Sequence, residues 1–392
     1  MSRESKVKTL ADGFESRQDN FLLLRFLAAS LVIYGHGGAV TGGKGLWDLF
    51  LISGWGVYSG TIAVMIFFAI SGYMITGSYL RREHLPNYLW ARVLRIFPAY
   101  LFCLVLSAYL LGTIYTTLPV LHYLSRHAVF HYVTQNLKLQ TTMDWSLPGV
   151  FAGNPKTNTI NGAIWTLPGE FRMYLWVALV GALGVLSRRW LCSIVIAVIF
   201  AVAVIYPSRD VLFIPTVYLQ LAGMFGLGVL AYLHRRFIPV GWPYAATAAL
   251  IAYFLHATPL GPFAFAVALT AFTFAFAYCT GWYGYNRFGD YSYGLYLWGF
   301  PAQQVVAHHC PRLSPIWNSA TAFPLALGMA ILSWHLVERP ALALKNRPKR
   351  WWAECRRRGH TLWKNLLGLR RAKKTNQGQP EPPGKAGVTP RL

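Results

Sequence analysis

Long apolar windows alternate with short polar joints along this chain. The windows run to about 17 to 23 residues and are apolar all round, which is the length and pattern of membrane-spanning helices. Ten are predicted, near 21–40, 57–80, 91–112, 164–186, 190–206, 211–233, 241–257, 263–281, 291–308 and 316–337. The pattern therefore predicts an all-α, polytopic integral membrane protein with about ten transmembrane helices. An even number of spans puts both termini on one side of the bilayer. Residues 1–20 (MSRESKVKTLADGFESRQDN) read as a polar leader, and no cleavable signal is expected because the first apolar run continues into the protein body. The bundle is assigned to 21–344 and a basic tail to 345–392.

Charge fixes the expected orientation. Of the 36 Lys and Arg residues, 26 fall on the segments that share the amino terminus and 6 on the opposite side. The positive-inside rule then predicts cytosolic termini. The net charge of +23 comes from these flanks and the tail, not from a folded basic face, so nucleic-acid binding is not expected. Within the tail, residues 345–374 mix Trp351, Trp352, Trp363 and several leucines with many cations, a pattern suited to an interfacial helix on anionic lipid. A solvated charge run is the competing interpretation. The following QGQPEPPGKAGVTP is too polar and proline-rich to build a core and is expected to be disordered. The five cysteines lack metal-ligand spacing, so neither a disulfide framework nor a metal site is expected.

Ionisable residues inside apolar windows are expensive, and they mark where chemistry is expected. Arg25 and His36 lie eleven residues apart in the first window. On a helix they are three turns apart, roughly 16 Å along one face and about 20° out of line. Arg92 and Arg95, one turn apart in the third window, share a face suited to grip phosphate, with positive-inside anchoring as the competing interpretation. Glu170 lies at the outer end of the fourth window beside Pro168 and Gly169. Its neighbour Arg172 is two residues away and does not share its face, so another helix or a substrate must satisfy it. Ser71 and Gly72 form a small-residue notch that admits a helix or a slender substrate arm, and helix packing is the stronger interpretation of the notch alone. The outer loop 113–163 carries His122, His127, His131, Asp144, Asn154, Asn158 and Asn161 among aromatic residues. That mixture suits a sugar-like acceptor and is also ordinary for an interfacial loop.

In order along the chain, RFLAASLVIYGH, FFAISGYMITGSYLRR, ARVLRIFPAY, WTLPGEFRMYL, FGDYSYGLYLWGFPAQQ and LSWHLVERPAL resemble the membrane-bound acyltransferase 3 family of bacterial O-acyltransferases. The resemblance covers about 20–345. It implies a catalytic role for His36, support from Arg25, and contacts from Arg92 and Arg95 to the phosphorylated part of acyl-coenzyme A. Many relatives carry a His just after the SY-x-x-YL segment, whereas this chain has Trp298, so no catalytic His is expected there. For Glu338, an ion pair or helix-end contact is the simpler expectation, and no appended esterase-like domain is expected.

Together these features predict an enzyme of a bacterial cytoplasmic (inner) membrane. It would move an acyl group, acetyl above all, from cytosolic acetyl-CoA to a hydroxyl of an extracytoplasmic glycan or lipid-linked saccharide such as O-antigen or exopolysaccharide. His36 would serve as general base and Glu170 would orient it or bind the acceptor. Arg92 and Arg95 would hold the nucleotide end, with the pantetheine arm passing Ser71 and Gly72. The rival function is a transporter or flippase using the same buried charges as a path. A scaffold with a basic recruiting tail leaves Arg25, His36 and Glu170 without a role.

Overall fold

Each of the ten windows contains a helix, since backbone in an apolar solvent must satisfy its own N–H and C=O groups within the segment. The computed structural model describes residues 8–43, 48–81, 84–205, 210, 215–279 and 281–346. It divides into Met1–Leu344 and Lys345–Leu392, and the expectations for the basic tail lie almost wholly outside the described residues. Among the described residues, the helices of eleven residues or more are α1 (Phe21–Thr41), α2 (Ser59–Leu80), α3 (Leu85–Val105) and α4 (His127–Leu137). They continue with α5 (Leu167–Ala182), α6 (Arg189–Ile205), α7 (Thr216–Leu233) and α8 (Trp242–Leu255). The last are α9 (Gly261–Cys279), α10 (Ser292–His309) and α11 (Pro315–Ser333). Five helical stretches, Phe21–Thr41, Ser59–Leu80, Leu85–Tyr115, Gly261–Cys279 and Pro315–Ala343, are long and apolar enough to cross a membrane.

The helix α10 is the most enclosed. Fifteen of its 18 residues are buried, including the polar Ser292, Gln303 and Gln304. It packs against α1 and α11. Pro301 interrupts its hydrogen-bond ladder, because proline has no N–H to give the carbonyl of Leu297 four residues earlier. That carbonyl accepts instead from Asn161 Nδ2 at 2.9 Å and from the Cys103 thiol at 3.6 Å. Asn154 is tied to the same helix, its Nδ2 donating to Gln304 O and Oε1, both at 2.9 Å. Two amides of the 113–163 loop thus pin that loop onto α10.

Close crossings hold the other helices. A Cβ at Gly72 would lie 2.0 Å from the Phe225 carbonyl oxygen, and one at Gly228 only 2.1 Å from that of Ala69. α2 and α7 therefore touch backbone to backbone. The helix α3 runs on through a π turn at Leu106–Leu111, and α11 through another at Trp334–Glu338. The second has a local cause, since Pro340 cannot donate to Leu336 and its ring crowds that carbonyl. Ahead of α1, the turn Leu10–Glu15 is capped by Thr9 and Asp12 and docks on the bundle. Leu10 N donates to Ile238 O at 3.0 Å, Lys8 Nζ to Tyr278 O at 2.7 Å, and Leu10 is buried. The polar leader is in this part a folded seal.

Candidate active site

Two arginines from different helices converge on one carboxylate oxygen. Arg25 of α1 donates from Nη1 to Asp290 Oδ2 at 2.8 Å, and Arg95 of α3 donates from Nη2 to the same oxygen at 2.7 Å. The other oxygen of Asp290 accepts from Ser292 Oγ at 2.5 Å, so the carboxylate is fixed at the start of α10. Burial favours the neutral acid, but the Arg25 and Arg95 charges outweigh it and hold the Asp290 carboxyl well below the usual carboxylate range. On its other side Arg95 faces Glu338, Nη1 to Oε2 3.8 Å. Glu338 is almost fully buried and also accepts from Ser333 Oγ at 3.0 Å. The π turn in α11 is what delivers Glu338 to this cluster.

A cavity opens beside the cluster. Arg25, Ser71, Arg95 and Glu170 all line it, four side chains from four helices. Thr166, Ser292, Tyr293 and Tyr296 complete its polar lining. Glu170 accepts from Ser71 Oγ at 3.4 Å and from the Tyr174 hydroxyl, which supplies this carboxylate with partners on α2 and its own helix. Arg92 is placed differently. Its guanidinium lies over the rings of Tyr88 and Tyr174, 5.8 and 5.7 Å from their centroids, and its Nε is buried without a hydrogen-bond partner. Gly72 faces the α7 crossing.

His36 stands apart from this cavity lining, three turns further along α1. Its Nδ1 lies 2.8 Å from Val32 O. A carbonyl can only accept, so Nδ1 carries the hydrogen and the Nε2 lone pair is left for a proton. The ring packs edge-on against Phe300 of α10 at 5.4 Å. Tyr293, Tyr296 and Phe300 follow one another at helical spacing, so a single aromatic face of α10 runs from the cavity to the imidazole. Among the described residues, Glu170 is hydrogen-bonded to Ser71 and Tyr174 and not to His36.

Sequence reasoning singled out Arg25, Ser71, Arg95 and Glu170 but passed over Asp290, Tyr174, Tyr293 and Tyr296. Counter-charge accounting would have found Asp290. Arginines at membrane depth require anions, and few carboxylates lie near the apolar windows. In the 113–163 loop, Asn154 and Asn161 are buried and structural, whereas His131 is half exposed with Nδ1 2.7 Å from Asp144 Oδ2. Among the described residues no group of three or more His, Cys, Asp or Glu side chains is placed to hold a metal.

Comparison with known proteins gives the family. The acyltransferase 3 family, described as an acyltransferase domain, matches residues 19–338. An O-acetyl transferase of Shigella phage Sf6 is 29% identical over 341 residues, covering 83% of this chain and 96% of the relative. Nodulation protein 10 of Rhizobium leguminosarum bv. viciae is 28% identical over 369 residues, covering 84% and 94%. No solved structure matches. The chain belongs to the acyltransferase 3 family. Its apolar helices make it a multi-pass membrane member.

Proposed function

We propose that this acyltransferase moves an acyl group, acetyl in the first instance, from cytosolic acyl-CoA to a hydroxyl of an extracytoplasmic glycan or lipid-linked saccharide. The observation that carries the proposal is the pairing of a cavity walled by Arg25, Ser71, Arg95 and Glu170 with an aromatic face of α10 that leads from it to His36. The proposed topology has ten spans with both termini in the cytosol of a bacterial cell, the protein residing in its cytoplasmic membrane. Arg25 and Arg95 then mark the donor's side. The guanidiniums bind donor phosphate or the thioester oxygen, since each has further N–H groups beyond those given to Asp290. Arg92, whose charge meets aromatic faces, adds a third cation at this level. The pantetheine arm passes Ser71 toward His36. The name of the phage relative supports acetyl as the group transferred.

At His36 the acceptor hydroxyl loses its proton to Nε2 while its oxygen attacks the thioester carbonyl carbon. The carbon–sulfur bond breaks, coenzyme A leaves as the thiolate, and the imidazolium returns the proton to sulfur. The Val32 carbonyl holds the imidazole in the tautomer this step requires.

Mass spectrometry of surface glycans from cells with and without the gene tests the proposal. Acyl ester mass increments should be present only with the gene, and their absence together with solute flux would favour a transporter. In the same assay His36→Ala should lose at least about 100-fold in transfer, the usual contribution of a general base, while the protein accumulates in the membrane. Near-normal turnover would remove His36 from the mechanism.

A further inference from the structure

Asp290 stands behind the donor cavity and touches it through other residues. It is absent from the cavity wall, yet two of the wall's cations, Arg25 and Arg95, end on its Oδ2. Guanidiniums brought to a common atom from α1 and α3 repel each other unless an anion lies between them. The aspartate removes that repulsion and fixes both planes. Its own place is fixed in turn by Ser292, which donates to Oδ1 and itself lines the cavity. Glu338 restrains the far edge of Arg95 at 3.8 Å, whereas no ion pair joins it to Arg25 among the described residues. Among the described residues, Asp290 alone forms an ion pair with both arginines. Each guanidinium gives one N–H to it and retains others, and both side chains are only partly buried, at 23% and 16% exposure.

We infer that Asp290 is a positioning residue for the donor, holding Arg25 and Arg95 side by side so that their remaining N–H groups meet the anionic donor as one preformed site. This rests on the reading of the cavity as the donor site. Preorganisation of this kind acts on donor binding, because the ordering of two long side chains is complete before the ligand arrives. Asp290 makes no contact of its own with the reacting atoms. Its removal therefore appears in the Michaelis constant for the donor and leaves the turnover of the saturated enzyme nearly intact.

The test uses full-length protein in detergent, titrated with coenzyme A and assayed with acetyl-CoA. Asp290→Asn should weaken coenzyme A at least tenfold and raise the donor KM by a similar factor, with kcat within about threefold of the parent. Adding Asp290→Asn to Arg95→Gln should weaken binding no more than about twofold beyond Arg95→Gln alone, because the two act as one unit. Unchanged KM and affinity with a smaller active fraction would show a purely structural role and overturn the inference. Tighter coenzyme A binding would also overturn it, since Asp290 would then be an anion that masks the arginines. If Asp290→Asn does not accumulate, Asp290→Glu displaces the carboxylate by one methylene. It should raise KM in the same direction, and an unchanged KM again overturns the proposal. Parent protein that transfers acetyl while Asp290→Asn shows no shift defeats only this inference. Parent protein that neither binds coenzyme A nor transfers acetyl defeats the donor reading and this inference together.

Discussion

Asn161 owes its place to a proline on another helix. Because Pro301 leaves the Leu297 carbonyl without its helical partner, a loop amide and the Cys103 thiol cover it. Replacing Asn161 by Leu removes the stronger donor, and also the Oδ1 that accepts from Ala163 N at 3.1 Å, and should destabilise the protein by about 1–3 kcal/mol, the range for a buried polar group left unpaired. Pro301→Ala restores an N–H in the α10 ladder, so the double variant should recover the part of that loss that belongs to the Leu297 carbonyl. Thermal unfolding of the four proteins checks this, and fully additive losses would show that the Leu297 carbonyl does not depend on Asn161. Residue type alone made Asn154 and Asn161 look like sugar contacts, since an amide in an outer loop has the same sequence signature whether it faces solvent or a carbonyl. His36, Arg25 and Glu170 stood out in the sequence for the opposite reason. An ionisable side chain inside an apolar window has few inexpensive explanations.

At the scale of the element, apolar length located the helices, whereas contacts between them were hidden. A glycine in an apolar run gives no sign of which helix it will meet. Gly72 and Gly228 prove to be the two halves of one crossing, each with the other helix's carbonyl oxygen where a Cβ would go. Gly228→Val should therefore push α2 from α7 and destabilise the bundle by about 1–3 kcal/mol, the usual range for overpacking. A lowered unfolding temperature and reduced accumulation would register it, and a neutral outcome would mean that the crossing yields. The α10 helix shows a different limit. Its polar and aromatic residues dilute the hydropathy by which a span is recognised, yet it is the most enclosed helix, satisfied through bonds such as Gln303 Nε2 to Ile33 O at 2.8 Å. The π turn that brings Glu338 to Arg95 was likewise not readable from apolar period, although Pro340 marked its position.

Across the whole molecule, the candidate site is an agreement among distant segments. Its arginines were recognisable one at a time, but the carboxylate that joins them lies 265 residues from Arg25 and 195 from Arg95. Such pairing depends on tertiary packing, which local spacing does not encode. Because the Asp290 carboxyl is held below its ordinary value near 4, its ionic contribution is present above that pH and lost only as the pH falls through the lower folded-state value. The stability difference between the parent and Asp290→Asn should thus still be present at about pH 5 and shrink below about pH 4. Unfolding temperatures at stepped pH measure it, and a difference that vanishes near neutrality would contradict the ion cluster.

The same separation has a consequence for biogenesis. At about 5–20 residues per second, a ribosome needs roughly 10 to 50 s to extend the chain from Arg25 to Asp290. Throughout that interval the helix that emerges first carries an arginine whose counter-ion has not been synthesised. Snorkelling to the interface shelters the charge meanwhile. Closure of the candidate cavity must then come late in synthesis, when the α10 segment enters the bundle, so a nascent chain cut short before residue 290 would leave Arg25 sheltered only by the interface, without the counter-ion that the finished chain supplies.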